Sequence, residues 1–481
     1  MADVQSELEL DENTRRLYLS KVNEIVEEHM RSVEGNKLKP YGLKSDKGAG
    51  IRNNGIDEHG ADLDEILNAV KDHVLHDGLQ SNHSNNFAYL CPGGVFSSAL
   101  ASYLAAYTNP YVGSFETNPA GVRMEHMVID WVAGMMGFPA GYAGNITPGG
   151  SNATLLAVTA ARENINVRCG DYNRLVVYIT DWTHQCFRKA LFTAGLKETV
   201  IRKVPVDAEY RMDVKILKAL IAQDIEEELI PFMIGSTIGT AVIGAVDAIG
   251  RIADVANEYG IWLHVDAAYG GFFVLVEELK DYFNDVCRCD SIIVDPHKCI
   301  TTTLFMPFGY GIFIVKKGKI LQSCFRHDSL FVTTMQDEEE SPVNISIERT
   351  KPFRALGLWL PLRLHGVAAF RRCLEEKLCL ARYMYRSLKE IPGFRVGPYP
   401  QLTIVLFKYD TGNETRNNDI NRELHNAILK DGHFYISSAI IDNNFFLRTC
   451  ILNSRSHRNV IDEFLSTLKK LTTCLLQTLG P

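Results

Sequence analysis

The chain has 481 residues, 46% of them hydrophobic and 22% charged, with 58 acidic against 50 basic side chains and a net charge of −8. These proportions are ordinary for soluble globular proteins and exclude a disordered or fibrous class, and the even spread of charge leaves no footprint for nucleic acid. No apolar run approaches the roughly 18 residues of a membrane span, and the first ten residues lack a basic stretch followed by an apolar one, so no membrane partner and a cytoplasmic location are expected.

Length argues for two or three compact units. The eleven cysteines are scattered and none forms a CxxC pair, so neither disulfides nor a metal site is expected. The acidic run from Asp337 to Glu340 reads as a solvated loop.

In chain order, Leu17, Val22, Ile25, Val26, Met30 and Val33 recur at near-helical spacing, and Leu63, Ile66, Leu67, Val70 and Val74 repeat the pattern. The polar stretch 35–60 between them reads as a surface connection. Two helices with so little core of their own need a surface to pack on, the main body or a partner subunit, and a homodimer is the expectation.

From about residue 90 to 320, short β-branched runs at 175–179, 231–234, 261–265 and 291–294 alternate with helical stretches, which predicts an α/β fold with a mostly parallel sheet covered by helices. Active sites of such sheets lie beyond the carboxyl ends of the strands. A helical stretch at 363–388 then precedes strand-like runs at 402–407 and 444–451, with helices near 420–429 and 459–479. The expected division is an N-terminal helical segment over 1–90 packing on the dimer partner, a large α/β domain over 91–365 and a small α+β domain over 366–481.

Chemistry-bearing residues cluster at those strand ends. The stretch His264-Val265-Asp266-Ala267-Ala268-Tyr269-Gly270-Gly271 ends a strand in an acid followed by small residues, a place where a carboxylate could pair with a protonated pyridine nitrogen beneath which a flat ring fits. Taken alone, a strand-end aspartate is more often a cap or turn residue. Asp295-Pro296-His297-Lys298 follows another strand; a lysine held near a cationic cofactor and partly desolvated loses proton affinity and can form an imine. Pro148-Gly149-Gly150-Ser151 opens a helical run whose free N–H groups and dipole suit a phosphate. It is neither a Walker A loop nor a GxGxxG fingerprint. His184, in Thr180-Asp181-Trp182-Thr183-His184, sits where an imidazole could stack on a ring.

Together, in this order, these elements resemble the group II pyridoxal-phosphate decarboxylases over roughly residues 80 to 450, with the nearer likeness to the aromatic-L-amino-acid branch and its bacterial-type relatives. The resemblance implies the fold-type-I architecture of pyridoxal-phosphate enzymes, an amino-acid substrate, and a homodimer with the active site at the interface. It implies that Lys298 forms the Schiff base with pyridoxal 5′-phosphate, that Asp266 pairs with the pyridine nitrogen, and that His184 stacks on the ring. It also implies that Gly149, Gly150 and Ser151 hold the phosphate, that Thr240 and Ala268 line the cofactor, and that His297 lies near phosphate and substrate. Tyr89, Leu90 and Cys91 fall where the substrate pocket begins, an apolar lining suited to an aromatic side chain. Arg354 and Arg448, which could receive a second carboxylate, read as structural ion-pairing residues.

The chain departs from the family pattern in two places. Asp295 stands where many relatives have asparagine, and it would repel a phosphate if pointed at it. The segment 328–350, where aromatic-type decarboxylases place a proton-donating tyrosine, contains no tyrosine. The expected activity is decarboxylation of an L-amino acid to an amine; the alternatives are decarboxylation with oxidative deamination to an aldehyde, or a non-aromatic substrate. His327 is another acid within reach of that segment.

Overall fold

In the computed structural model, residues 8–34, 47–90, 94–298, 308–326 and 339–479 are described. The core is a seven-stranded sheet made of β1 (Ala143–Thr147), β2 (Leu175–Ile179), β3 (Val200–Lys203), β4 (Ile230–Thr237), β5 (Trp262–Asp266), β6 (Ser291–Val294) and β7 (Gly311–Val315), in the spatial order β1-β7-β6-β5-β4-β2-β3. Strand β7 runs antiparallel to both of its neighbours and every other pairing is parallel. Two reversals restore direction, so β1 points the same way as β6. The carboxyl ends of β1, β2, β4, β5 and β6 therefore share one edge of the sheet.

The strands read as they do because both faces are covered. Every residue of β2 and β6 is buried, as expected for parallel strands with helices above and below. Along β5 the alternation divides the core: Leu263 and Val265 pack with Ile252 and Ala253 of the helix Ile249–Tyr259, while Trp262 faces Phe187 and Phe232 on the other side. The helix Gly150–Ile165 lies on that second face and presents Ala153, Ala157, Ala160 and Ala161 to the sheet. Small side chains let it approach closely, which brings its N-terminus to the strand ends.

A second, antiparallel sheet of four strands comprises β8 (Phe394–Val396), β9 (Ile404–Tyr409), β10 (Ser437–Ile441) and β11 (Asn444–Cys450), in the order β10-β11-β9-β8. The helices Val367–Lys389, Glu414–Asp431 and Arg458–Leu479 share its core. Phe87 belongs to the same core, and its backbone bonds to Tyr435 and Cys450 at 2.8 and 2.7 Å. The chain ahead of the large sheet is thus stitched into the small one. No described helix is long and apolar enough to cross a membrane.

Strand β1, Ala-Gly-Asn-Ile-Thr, carries no apolar run and was not predicted. Its extended form comes from pairing with β7, where a Cβ on Gly144 would lie 2.7 Å from the Phe313 carbonyl oxygen and from Ile129 Cγ2. A buried ion pair anchors it. The Lys351 ammonium, fully buried, bonds the Glu125 carboxylate and, at 2.9 Å, Asn145 Oδ1, while the Ile146 N–H donates to the same carboxylate at 3.1 Å. Burial lowers the Lys351 pKa, against the opposing pull of Glu125. Replacing Lys351 by Met strands a buried carboxylate and is expected to cost about 3–5 kcal/mol, read as a lower midpoint of urea unfolding that Glu125→Gln in the same chain partly restores.

Candidate active site

Five strand ends deliver the site. After β1, the backbone turns through Gly149 at φ +129°, a conformation open to glycine alone, and enters the helix Gly150–Ile165. The first N–H groups of a helix, here those of Gly150 and Ser151, have no intrahelical acceptor. No side chain caps this end, and Ser151 is exposed in the first turn. The turn can receive an oxyanion.

Beyond β2, the hydroxyl of Thr183 accepts a bond from the Thr180 N–H at 3.1 Å and closes the loop that presents His184. The His184 Nδ1 accepts from the Cys186 N–H at 3.3 Å, so the ring proton of the neutral imidazole sits on Nε2. The surrounding protein lowers its pKa, with Lys298 adding to the effect and Asp266 opposing it. A neutral ring with one exposed edge is suited to stacking.

Strand β4 leads to Thr240, which is buried; its Oγ1 accepts from the Ala245 N–H at 3.1 Å and keeps its own proton to donate. Strand β5 ends at Asp266, whose Oδ1 accepts from the Ala268 N–H at 3.0 Å. Burial raises the pKa of Asp266 while Lys298 pulls it down. Ala268 is 4% exposed and leaves the room a planar ring requires.

Strand β6 ends in the segment that carries Lys298. Its Nζ lies 3.0 Å from Asp295 Oδ2. In the chain alone burial acts downward on its proton affinity, but the carboxylates of Asp295 and Asp266 outweigh it and the net shift is upward. Neutralising those carboxylates, or placing a cation between them, is what would release the proton. The Asp295 carboxylate is buried against the phosphate turn, its Oδ2 2.7 Å from where a Cβ on Gly150 would be. His297 lies over the turn, its Cε1 3.7 Å from the corresponding point on Gly149, and its Nδ1–H donates to the Tyr310 carbonyl at 2.5 Å.

Gly149, Gly150, Ser151, His184, Thr240, Asp266, Ala268, His297 and Lys298 therefore stand at one edge of the sheet. The glycine cradle, the small residue at 268, the buried acid and the lysine fit pyridoxal phosphate. Tyr89 and Leu90 are joined to this edge indirectly: Arg448 donates to the carbonyls of Ala88, Ala241 and Val242 at 2.7, 2.6 and 3.0 Å, tying their segment to the one after Thr240. Arg448 is thus held by carbonyls rather than by the ion pair anticipated for it, whereas Arg354 does pair with Glu348, at 2.8 and 2.9 Å. Cys91 and His327 lie outside the described residues. Of the tyrosine-free segment, residues 339–350 are described and dock on the body: Glu339 pairs with Arg123 at 2.6 Å and His126 at 3.3 Å, and Glu340 accepts from Asn344 at 2.9 Å. Both acids are half-exposed and paired, and the other two residues of the acidic run, Asp337 and Glu338, lie outside the described residues.

The Arg448 clamp and the Lys351–Glu125 pair were not found by sequence reasoning, because each joins residues more than 200 positions apart. The turn can be tested directly. Gly149→Ala forces a Cβ into a glycine-only conformation at a cost of about 1–3 kcal/mol, and is expected to weaken pyridoxal phosphate binding at least tenfold in an equilibrium titration while the circular dichroism spectrum stays that of the parent.

Comparison with known proteins agrees with this geometry. A family model described as the pyridoxal-dependent decarboxylase conserved domain matches residues 49–410. An aromatic-L-amino-acid decarboxylase of Bacillus atrophaeus is 29% identical over 423 residues, covering 86% of this chain and 87% of that protein. A 4-hydroxyphenylacetaldehyde synthase of Rhodiola rosea is 26% identical over 417 residues, covering 84% of each. Among solved structures, that of Oryza sativa TDC with PLP and tryptamine superposes with a TM-score of 0.90 at 25% identity, covering 96% of this chain and 98% of the other. The fold is that of the fold-type-I pyridoxal-phosphate enzymes, and the chain belongs to the pyridoxal-dependent decarboxylase family: it is a carboxy-lyase that works with pyridoxal 5′-phosphate on an amino acid.

Proposed function

We propose that this enzyme decarboxylates an aromatic L-amino acid and releases the amine, with Lys298 carrying the cofactor. The observation that carries the residue assignment is the convergence of the phosphate turn, His184, Asp266 and Lys298 on one sheet edge. Bound there, the cofactor supplies an electron-accepting ring conjugated to the amino group of the substrate. Asp266, whose pKa burial raises, would face the pyridine nitrogen and keep it protonated. Gly149, Gly150 and Ser151 bind the phosphate through backbone N–H groups and the helix dipole. Thr240, with a hydroxyl proton to donate, and Ala268 and His184 would line the bound ring. The substrate's α-carboxylate would be the group that leaves, as carbon dioxide.

Aromatic preference is supported by the Tyr89 and Tyr435 rings, whose centroids lie 5.8 Å apart next to Leu90, and by the names of the relatives. An aldehyde-forming outcome is the second reading. It is favoured by the absence of tyrosine from 328–350 and by the aldehyde synthase among the relatives. Lys298→Ala is expected to abolish both the visible absorbance of lysine-bound cofactor and turnover. With L-Tyr, L-Phe, L-Trp and L-DOPA as substrates, amine without peroxide is the expected product, and aldehyde with stoichiometric peroxide would establish the second reading.

We further propose a homodimer in which the first 90 residues pack on the partner. The helix Phe96–Thr108 buries Ser97, Ser98 and Ala101 yet leaves Phe96, Leu100, Tyr103, Leu104 and Tyr107 exposed along one stripe. Leu17, Val22 and Val26 are likewise exposed on the helix Glu12–Glu34. Apolar surface of this extent calls for a partner. Sedimentation velocity is expected to give a dimer, and Leu100→Asp with Leu104→Asp to give a monomer with loss of activity.

A further inference from the structure

Two parts of the site are delivered by different strands. The phosphate turn follows β1 and opens the helix Gly150–Ile165, whereas the loop carrying His184 follows β2 and opens the helix Cys186–Thr193. Ala153, Ala157, Phe187 and Ala190 place both helices in one apolar core. Packing of that kind is non-directional, so it docks the helices without fixing how a ring at the start of one stands to the turn at the start of the other. Hydrogen bonds supply the direction. Thr154 donates its hydroxyl proton to the Gly150 carbonyl at 2.7 Å, and its Oγ1 lies 3.4 Å from Cys186 Sγ. Both side chains are buried.

The direction of the second bond follows from the first. A threonine hydroxyl carries one proton, and the Gly150 carbonyl takes it, so the Cys186 thiol is the donor to Thr154. Burial pushes the thiol pKa up to about 11, and the sulfur keeps the proton it donates near neutral pH. The same residue also holds the imidazole. The Cys186 N–H donates to His184 Nδ1 at 3.3 Å, and among the described residues this is the one hydrogen bond made by the His184 ring. A continuous path therefore runs from the Gly150 carbonyl through the Thr154 hydroxyl and the Cys186 thiol to the Cys186 N–H and the ring.

We propose that Cys186 is a positioning residue for the reaction: its thiol bond to Thr154 fixes the His184 imidazole relative to the phosphate turn. Gly150 serves both ends of the arrangement, since its N–H would meet the phosphate while its carbonyl anchors the link. The distance from the phosphate end of a bound cofactor to the ring stacked on it is then set by three short side-chain and backbone bonds rather than by the packing of two helices. An alanine at position 186 keeps the backbone N–H but loses the tether, and a serine keeps both. This inference rests on the reading of His184 as the residue that stacks on the cofactor ring and adds what holds it in place.

Cys186→Ala and Thr154→Val each break the link, and Cys186→Ser preserves it. The first measurement needs no turnover: the visible circular dichroism of lysine-bound cofactor reports the asymmetric surroundings of its ring. Both link-breaking variants are expected to lose amplitude in that band while their far-ultraviolet spectra stay those of the parent. In steady-state assays kcat is expected to fall about tenfold with KM changed less than about twofold, because the ring is misplaced while substrate contacts remain. Cys186→Ser is expected to restore both readouts, and the double variant Cys186→Ala with Thr154→Val to match either single one, since both remove the same bond. Parental dichroism and kcat in the two link-breaking variants, multiplied losses in the double variant, or no recovery with Cys186→Ser would each overturn the proposal. Parental dichroism and kcat in His184→Ala would instead overturn the reading on which it rests.

Discussion

The site depends on one ion pair held at the edge of the sheet, Lys298 against Asp295, with Asp266 one strand away. Three charges held this closely, one of them the fully buried Asp295, carry a desolvation cost, and the fold meets it with backbone geometry. Asp266 accepts the Ala268 N–H, and the Lys298 N–H bonds back to the Asp295 carbonyl, so both charged side chains leave rigid strand ends. A third group enters from the opposite side. Gly150 and Gly311 approach the Asp295 carboxylate more closely than any residue bearing a Cβ could, which brings the helix N-terminus and strand β7 up to it.

The consequence for chemistry is that the chain alone holds its lysine as an ammonium. Burial by itself would favour the free amine, but two carboxylates reverse the sign. Asp266 would face the ring nitrogen of a bound cofactor, and the turn against which Asp295 packs would hold its phosphate. Asp266, His184 and Lys298 each shift the proton affinity of the others, so these groups act together.

Around this centre, distant parts of the chain are fastened by buried cations. Lys351 joins the helix Pro119–Met135 to β1 through Glu125 and Asn145, and so fixes the strand that leads to the phosphate turn. Arg448 draws the carbonyls of Ala88, Ala241 and Val242 together and links three segments remote in sequence. Lys377, also fully buried, bonds the Ser456 and Ser454 carbonyls at 2.6 and 3.3 Å and holds the connection into the last helix. Each such charge is costly to leave unpaired, which penalises arrangements that miss the native contact.

The sequence alone determined the α/β class, the positions of β2 and β6, and the residues of the strand ends, because fully covered parallel strands read as short apolar runs and because glycine, aspartate and lysine at such ends have few structural reasons to occur together. It also showed that the segment 328–350 lacks a tyrosine. Only the tertiary structure decided the rest. Strand β1 is extended because β7 lies beside it, not because Ala-Gly-Asn-Ile-Thr prefers to be. Asp295 is packed against the turn because Gly150 and Gly311 leave it that space, and Arg448 serves carbonyls because three loops converge on it. The shift of Lys298 is upward because the sheet order places β6 beside β5, so that a second carboxylate, 32 residues away along the chain, adds its field to the first.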